Sequence, residues 1–162
     1  MASDNFLQIS GIKGESTDDA HVDWIEISSF SWGVSQVASA TKSSSGGGTT
    51  QRADFADLTI VKAVDSATPK IFLACAKGDH LDEVVLELCR AGGDKLKYME
   101  FKLSNVVISN HSMNGGEGSE PTESISFNYG KIETTYTKQS RKGGGAAGNV
   151  AAGWNLESNK PV

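Results

Sequence analysis

The sequence contains little cysteine, little proline and no long apolar run. Its 162 residues include 2 Cys and 3 Pro. Cys75 and Cys89 form neither a CxxC pair nor a metal-ligand spacing, so we expect reduced, mostly buried thiols in a protein made in the cytoplasm. No apolar stretch approaches the roughly 18 residues that a membrane-spanning helix needs, which argues against membrane insertion. Residues 1–5 include no basic residue and precede no apolar segment, so we expect no secretory signal peptide.

The sequence also lacks a cluster of positive charge. Lys and Arg number 15 against 20 Asp and Glu, which gives a net charge of −5. The densest basic group is Lys138, Arg141 and Lys142. Proteins that bind nucleic acid or an anionic membrane surface present a basic face, so both of these partner classes are disfavoured. The length and the 38% hydrophobic content are those of one globular domain, which we expect to span residues 1–162.

Alternation of apolar and polar residues predicts β-strands over most of the chain. The segment 22–37 would span about 50 Å if it were fully extended, so we expect it to bend, and Gly33 is the natural position. We also expect a bulge at Gly130. The residues Ala-Gly-Gly-Asp at 91–94 predict a hairpin turn. The predicted strands are 5–12, 22–37, 55–64, 84–90, 95–109, 123–138 and a short last strand near 154–156.

One predicted helix interrupts the strands. Thr68 is a suitable N-cap, Pro69 suits the first helical position, and Gly78 suits the left-handed residue that ends a helix. The apolar stripe of this helix contains Ile71, Phe72, Cys75 and Ala76. One short helix among many strands indicates an antiparallel barrel or sandwich, with the helix closing an end or a side.

Three segments have little to bury and are predicted as loops: 38–53, 111–121 and 139–152. Structureless loops longer than about 12 residues are uncommon in compact domains. We therefore expect these segments to order against another molecule, such as a neighbouring copy. For the Gly-rich stretch 143–152, a flexible linker is an equally good interpretation.

The sequence contains none of the residue patterns that would indicate an enzyme. A GxSxG motif is absent, and the run Gly46–Gly48 lacks the lysine of a phosphate-binding loop. His21, His80 and His111 form no metal-binding pattern, and the acidic pairs 18–19 and 82–83 are interpreted as solvated charges. We therefore expect no catalytic residue, no metal and no cofactor.

Several short motifs, in order along nearly the whole chain, resemble one family. They are Gly14-Glu15-Ser16 with His21; Ser31-Trp32-Gly33; Asp65, Thr68-Pro69, Ala74-Cys75, Gly78 and His80; Ala91-Gly92-Gly93; and Gly153-Trp154-Asn155. Together these motifs resemble the Hcp (haemolysin-coregulated protein) family, which forms the tube of bacterial type VI secretion.

The resemblance implies a fold, an assembly and a set of partners. The fold is an antiparallel β-barrel of two packed sheets with one short α-helix at its side. The assembly is a homohexameric ring with a wide lumen, and the rings stack into a tube that binds, protects and delivers effector proteins. The implied partners are a VgrG-type spike, which caps the tube, and a contractile sheath, which drives it out of the cell. Assembly is cytoplasmic, and secretion proceeds without a signal peptide.

The strand 22–37 offers a candidate lumen wall. One parity of this strand changes from apolar residues to Ser29, Ser31 and Gly33, which would make a small, neutral surface. Alternation alone supports a solvent-exposed face equally well, and the resemblance to the family favours the lumen. Candidate ring-stacking or subunit contacts are Lys42, Ser45, Gly46, Gly47, Gly92, Gly93 and Glu157.

Two other functions remain as alternatives to the tube subunit. The first is a monomeric β-barrel module that binds a small ligand. The second is the tail-tube subunit of another contractile, phage-like machine, which would share the architecture in outline.

Overall fold

A computed structural model describes residues 3–36, 52–92, 96–139 and 146–162. Within these ranges the chain forms one helix, α1, which is not long and apolar enough to cross a membrane. The elements are β1 (Ser3–Ile9), β2 (Ile25–Ile27), β3 (Ser29–Ser31), β4 (Val34–Ser35), β5 (Asp54–Phe55), β6 (Leu58–Ala63), α1 (Thr68–Lys77), β7 (His80–Arg90), β8 (Lys97–Gly116), β9 (Ser119–Gln139), β10 (Ala146–Asn155) and β11 (Lys160–Pro161).

Antiparallel pairing closes most of these strands into a barrel. β1 pairs with β2 and β7, β7 with β8, and β8 with β9. β9 pairs with β6 and β6 with β3, which follows β2 in the chain after the single residue Ser28. The predicted antiparallel β-barrel with one short helix is therefore confirmed.

Strand β9 belongs to both sheets of the barrel. Its residues 122–127 pair with β6, and its residues 131–139 pair with β10, which is extended by β11. One sheet therefore contains β3, β6 and the adjoining halves of β9 and β8. The other contains β2, β1, β7, the remaining halves of β8 and β9, and the β10–β11 hairpin. Between the sheets lies an apolar core that includes Leu7, Ile25, Leu58, Ile60, Leu86, Leu103, Ile125 and Phe127.

The segment 22–37 is not one strand but three, because the chain breaks twice. Ile25 and Ile27 are buried, and after the break at Ser28 the side chains of Phe30 and Trp32 contact Phe101 instead. Ser28 acts as the extra residue of a bulge. Odd-numbered residues face the core before it, and even-numbered residues do so after it. The position predicted for a bend, Gly33, lies in the break between β3 and β4, whereas the break at Ser28 was not predicted.

The prediction of a bulge at Gly130 is wrong. Ser104 pairs with Lys131 and Val106 with Tyr129, so the register is the same on both sides of Gly130. The register shift lies further along the hairpin, between residues 108 and 110.

Helix α1 ends as predicted but begins differently. Gly78 has φ 66° and terminates the helix in the left-handed conformation. Thr68 is the first helical residue rather than the cap, and its hydroxyl accepts a hydrogen bond from the backbone N–H of Asp65 at 3.1 Å. The helix buries Ile71 and Ala74, whereas Phe72, which was predicted for the buried stripe, is exposed.

Two of the three predicted loops contain regular structure. Residues 111–121 form the end of the β8–β9 hairpin, with a turn only at residues 117–118. Part of 139–152 is strand, since β10 begins at Ala146 and pairs with β9. β10 is thus much longer than the short strand predicted near residues 154–156. Most of the segment 38–53 lies outside the described residues.

A buried charged cluster joins the start of α1 to the β8–β9 hairpin. Lys62 is fully buried, and its Nζ donates hydrogen bonds to Asp65 Oδ1 at 2.8 Å and Glu123 Oε1 at 2.5 Å. The other oxygen of Glu123 lies 3.2 Å from Nε2 of His111. Burial alone would raise the pKa of the Glu123 carboxyl, but hydrogen bonds from Lys62 and His111 outweigh it and lower that pKa below its ordinary value.

We predict that Lys62→Met destabilises the fold strongly. The substitution leaves two carboxylates, Asp65 and Glu123, without their shared cation, and breaking a buried ion pair costs roughly 3–5 kcal/mol. Urea unfolding followed by circular dichroism measures the loss. The matched control is Lys102→Met, which removes a half-exposed pair with Glu83 and should change the free energy of unfolding by less than about 1 kcal/mol. Equal losses of unfolding free energy in the two variants would show that the buried ion cluster around Lys62 contributes no more than an exposed pair.

We also predict that Glu123 contributes to the pH dependence of stability. Its pKa is lower in the folded state than the ordinary value of 4.5, so its contribution is fully present above that pH and is lost as the pH falls through the folded-state pKa. Glu123→Gln should therefore show a smaller fall in unfolding free energy on acidification than the native protein does. Parallel slopes for the two proteins in urea titrations between about pH 3 and 7 would show that another carboxyl is responsible.

Candidate lumen and assembly surfaces

One face of the sheet formed by β3, β6, β9 and β8 carries small, uncharged side chains. Directly paired residues of antiparallel strands point to the same side of a sheet. The register aligns Ser29 with Val61 and, in the next row, Ser31 with Thr59. We call this surface the neutral face; it consists of Ser29, Ser31, Thr59, Val61, Ala63, Asn110, Ser112, Asn114, Thr122, Ser124 and Ser126.

The neutral face follows from strict alternation in β6 and β9. Leu58, Ile60, Ile125 and Phe127 are all completely buried, so the residues between them face outward. The outward residues are exposed or half-buried, and many carry a hydroxyl group. Neighbouring hydroxyls contact each other, as between Thr59 Oγ1 and Ser126 Oγ at 2.9 Å. The sheet therefore has one apolar face in the core and one hydroxyl-rich face outside it.

Asp57 places a carboxylate at the border of the neutral face. Its two oxygens accept hydrogen bonds from Ser109 Oγ at 2.6 Å and Asn128 Nδ2 at 3.0 Å. Both donors belong to the β8–β9 hairpin, so these bonds also tie the start of β6 to that hairpin.

A chain of hydrogen bonds anchors the end of β3 to the core. Trp32 Nε1 donates to the hydroxyl of Tyr129 at 2.7 Å, and that hydroxyl donates to the carbonyl of Ala56 at 2.7 Å. Burial raises the pKa of Tyr129, and the hydrogen bond from Trp32 opposes this shift only in part. The phenol therefore stays protonated, as its bond to the carbonyl requires.

The sheet that carries the neutral face has an open edge on each side. β3 pairs with β6 along one edge, and no strand within the described ranges pairs with its other edge. β8 beyond residue 107 pairs with β9 alone among the described strands, because the pairing with β7 ends at Val107. The two open edges are different segments of the chain on opposite sides of the same sheet.

The two serines predicted for the lumen lie together, and of the residues predicted for subunit contacts only Gly92 and Glu157 fall within the described part of the chain. Ser29 and Ser31 are exposed on the neutral face, in neighbouring rows. Gly92 is exposed at the β7–β8 turn. The predicted residues Lys42, Ser45, Gly46, Gly47 and Gly93 lie outside the described part of the chain. Sequence reasoning missed the rest of the neutral face, whose signal was the alternation in 55–64 and 123–138.

Glu157 has a contact within its own chain. Its carboxylate oxygen Oε1 accepts a hydrogen bond from Asn105 Nδ2 at 2.5 Å, which joins the β10–β11 turn to β8. A Cβ on Gly130 would lie 2.6 Å from this same oxygen. Gly130 therefore leaves room for the Glu157 carboxylate, and it marks no bulge. The role predicted for Glu157 in subunit contacts stays a prediction.

The motif around His21 folds into a tight structure on the outside of β1 and β7. A Cβ on Gly14 would meet the carbonyl of Trp24, so the backbone can approach this closely only at glycine. His21 is buried, and its ring nitrogens lie 2.7 Å from Asp18 Oδ2 and 3.1 Å from Glu87 Oε1. The interpretation of Asp18 as a solvated charge is wrong, because this carboxylate binds a buried histidine.

Burial and the charges around His21 together raise the pKa of a thiol, that of Cys89. Burial first, and then the carboxylates of Glu87 and Asp18, raise the pKa of Cys89 to about 11. Lys97 lies close by, and its hydrogen bond to Glu100 outweighs the opposing effect of burial and raises the pKa of its ammonium group. Cys89 is therefore a protonated thiol, as expected for a structural cysteine. Within 3–36, 52–92, 96–139 and 146–162, no group of His, Cys, Asp and Glu residues is arranged to hold a metal ion.

Comparisons with known proteins agree over the whole chain. The model of the family described as "Type VI secretion system effector, Hcp" matches residues 6–136. "Protein hcp1" of Pseudomonas aeruginosa is 34% identical over 161 residues, which cover 98% of each chain. A solved type six secretion system protein superposes with a TM-score of 0.93 at 32% identity, covering 99% of this chain and 100% of its own. Hcp1 from Salmonella typhimurium superposes with a TM-score of 0.80 at 26% identity, covering 100% of both chains. The chain therefore belongs to the Hcp family and is a tube subunit of type VI secretion.

Proposed function

We propose that six copies of this chain close into a ring whose hole is lined by the neutral face, and that such rings stack into a tube carrying effector proteins. The neutral face is the observation that carries this proposal. A wall of hydroxyl and amide groups can form hydrogen bonds with many partners, and it has no apolar patch or dense charge that would hold a moving protein tightly. The function is structural rather than catalytic.

The two open edges provide a way to close the ring. In a ring, one surface of each copy meets a different surface of the next, which is a heterologous interface. β3 on one side of the sheet and the β8 tip on the other are two such surfaces. Pairing of β3 from one copy with β8 from the next would continue the sheet across the interface. It would also satisfy the backbone N–H and C=O groups that each open edge leaves unpaired.

The dimensions of such a ring suit a protein cargo. Six copies of a four-stranded sheet place about 24 strands around the hole at ~4.8 Å spacing, which gives a circumference of roughly 115 Å and a diameter of roughly 37 Å. A folded domain of about 100 residues has a radius of gyration of about 13 Å and is therefore roughly 34 Å across. The side chains of the neutral face narrow this backbone-to-backbone diameter, so the hole would admit folded effector proteins smaller than such a domain.

The other partners follow from the same function. A VgrG-type spike would cap one end of the tube, and a contractile sheath would surround it and drive it out of the cell. Loading would take place in the cytoplasm, and secretion would need no signal peptide because the sheath moves the whole tube. A monomeric small-ligand module has less support, since the space between the two sheets is filled by core side chains.

We predict that Ser31→Arg leaves the ring intact and weakens cargo retention. Ser31 is exposed on the neutral face, and six guanidinium groups around the hole would disfavour a cargo that fits the native wall. Native mass spectrometry should show hexamers for both proteins, and co-purification should show about tenfold less effector on the variant. Ser66→Arg, at an exposed position before α1, is the matched control. Hexamers with full cargo retention would show that Ser31 lies outside the lumen, and a native protein that stays monomeric would refute the ring.

We predict that ring closure protects two separate segments from hydrogen exchange. The amides of β3 and of β8 residues 109–114 that point to the open edges should exchange slowly in rings and quickly in subunits dissociated by dilution, because no described strand pairs with those edges in the single chain. Residues of β7, which are paired on both edges in the single chain, serve as the internal control. Protection of only one of the two edges in rings would exclude their pairing with each other.

A further inference from the structure

One row of side chains carries the apolar core out of the barrel. Leu88, Met99, Tyr136 and Val150 pair in succession across β7, β8, β9 and β10, so all four point to the same side of that sheet. Leu88 belongs to the core, and Met99 is half-buried, whereas Tyr136 and Val150 are 42% and 58% exposed. We call Met99, Tyr136 and Val150 the apolar row. It lies on the core side of the sheet, yet its β10 end is in contact with solvent.

The two rows beside the apolar row are covered by aromatic rings of the same chain. Phe101 lies in the first of them, and its ring centroid is 5.8 Å from that of Phe30 and 5.7 Å from that of Trp32. Trp154 lies in the second, and its ring stacks on Phe55 at 6.3 Å. The cover over the core side of this sheet therefore ends where the apolar row begins.

Phe30 stands at the border of the uncovered end. Trp32 donates its hydrogen bond to Tyr129, which lies beyond Phe101 as seen along the hairpin from Met99. Phe30 contacts the same ring of Phe101 from two residues earlier in β3, so it lies on the side nearer to the apolar row. Phe30 is exposed, because β3 is an open edge of its sheet among the described strands. The uncovered apolar surface therefore opens beside the edge of β3.

The tip of β8 carries an apolar side chain that points the required way. Met113 pairs with Glu123, whose side chain is buried on the core side of the sheet. Met113 therefore lies on the side opposite to the neutral face, and it is 51% exposed. Met113 and the apolar row are thus two exposed apolar surfaces, each next to one of the two open edges.

The geometry of ring closure brings these two surfaces together. The alternating directions of β3, β6, β9 and β8 make β8 antiparallel to β3, and rotation about a ring axis preserves strand directions. A neutral face that continues across the interface places Met113 of one copy on the same side as Phe30 of the next. Phe30 and His111 occupy the same row of the sheet. With rows aligned, Met113 lies one row further from Trp32, towards the apolar row.

The charges at the rim of this contact have opposite signs. Lys138 is exposed and lies two residues along β9 from the apolar row, so it points to the same side. Residues 109–121, which form the tip, include the exposed Glu117 and Glu120 and no Lys or Arg. Asp54 adjoins the aromatic pair at the other end of β10, roughly 13 Å of strand away from Val150. Charge therefore favours the tip of another copy as the occupant.

We propose that Met113 of the next copy packs against Phe30 and the apolar row, so that each barrel core is completed by a neighbouring subunit. The inference rests on the proposed function, because it requires β3 of one copy to pair with the β8 tip of the next. Edge pairing satisfies backbone groups, and Met113 adds the buried apolar contact at the centre of the interface. Since the neighbour supplies part of the core, a subunit in a ring is more stable than a subunit alone.

The first test uses single substitutions in the full-length chain. Met113→Glu and Val150→Lys each place a charge in the proposed contact. We expect each to raise the concentration at which rings dissociate by about tenfold or more, measured by analytical ultracentrifugation. Both side chains are more than half exposed in the single chain, so circular dichroism should show a native fold. The matched control is Val22→Glu, a 59% exposed position on the loop outside β1 and β7.

A mixing experiment distinguishes a contact between copies from damage within one copy. In a ring that alternates Met113→Glu chains with Val150→Lys chains, every interface is either native or joins the new carboxylate to the new ammonium group. A one-to-one mixture should therefore recover about half of the native ring yield or more, at a concentration where neither variant assembles alone. The melting temperature of the native chain should also rise with concentration as rings form, and that of Met113→Glu should not rise over the same range.

The outcomes separate this inference from the proposed function. Rings of native stability in both single variants would overturn the packing of Met113 and leave the ring intact. A mixture that fails to assemble although both chains are folded would show that Met113 and Val150 do not meet, and would overturn it as well. So would a loss of ring stability in Val22→Glu as large as in the two variants. A native chain that forms no rings at any concentration would refute the proposed function itself.

Discussion

The pairing of β9 on both of its edges is the constraint on which the rest of this structure depends. One edge of β9 pairs with β8 along the hairpin, and the other is shared between β6 and β10. Because one strand serves both sheets, the two sheets cannot move independently and the barrel has a single core. The same arrangement leaves β3 and the tip of β8 as the open edges of the sheet that carries the neutral face. The open edges at β3 and at the tip of β8 therefore follow from the pairing of β9 with β6, β8 and β10.

The buried ions have a related structural role near the tip of the β8–β9 hairpin. Lys62 alone would be costly to bury, and it is accommodated because Asp65 and Glu123 both accept its hydrogen bonds. These residues come from β6, the loop before α1 and β9, so the ion cluster holds the helix and the hairpin in one relative position. The helix presents its outer face to solvent in a fixed orientation for the same reason. The ion cluster therefore helps to fix the position of the helix relative to the sheet that carries the neutral face.

Local patterns predicted the elements whose side chains have one consistent environment. The alternation in 55–64 and 123–138 indicated β6 and β9 correctly, because their inward residues meet the core along the whole strand. Pro69 and Gly78 bounded α1 to within one residue, since both act through their own backbone. Predictions failed where distant residues decide the outcome. Residues 111–121 look like a loop because they bury almost nothing, and they are strand only because β8 and β9 pair there. Asp18 looks solvated in the sequence, but it contacts the ring of His21, which is buried against Phe6 and Glu87 of β1 and β7.

In the candidate lumen surface, too, some features depend on local sequence and others on residues that are distant in the chain. Local motifs were sufficient to indicate the fold and the family, and alternation in 22–37 placed Ser29 and Ser31 on one face, because these features depend on residues close together in the sequence. The sequence could not show that Thr59, Val61 and Ser124 join that pair in one surface, since the register among β3, β6 and β9 sets which side chains are neighbours. Nor could it show that Phe72 points away from the core, because a helix of alternating apolar and small residues can bury either of two faces. Which face is buried depends on the sheet beneath it, and only the packed tertiary structure makes that choice.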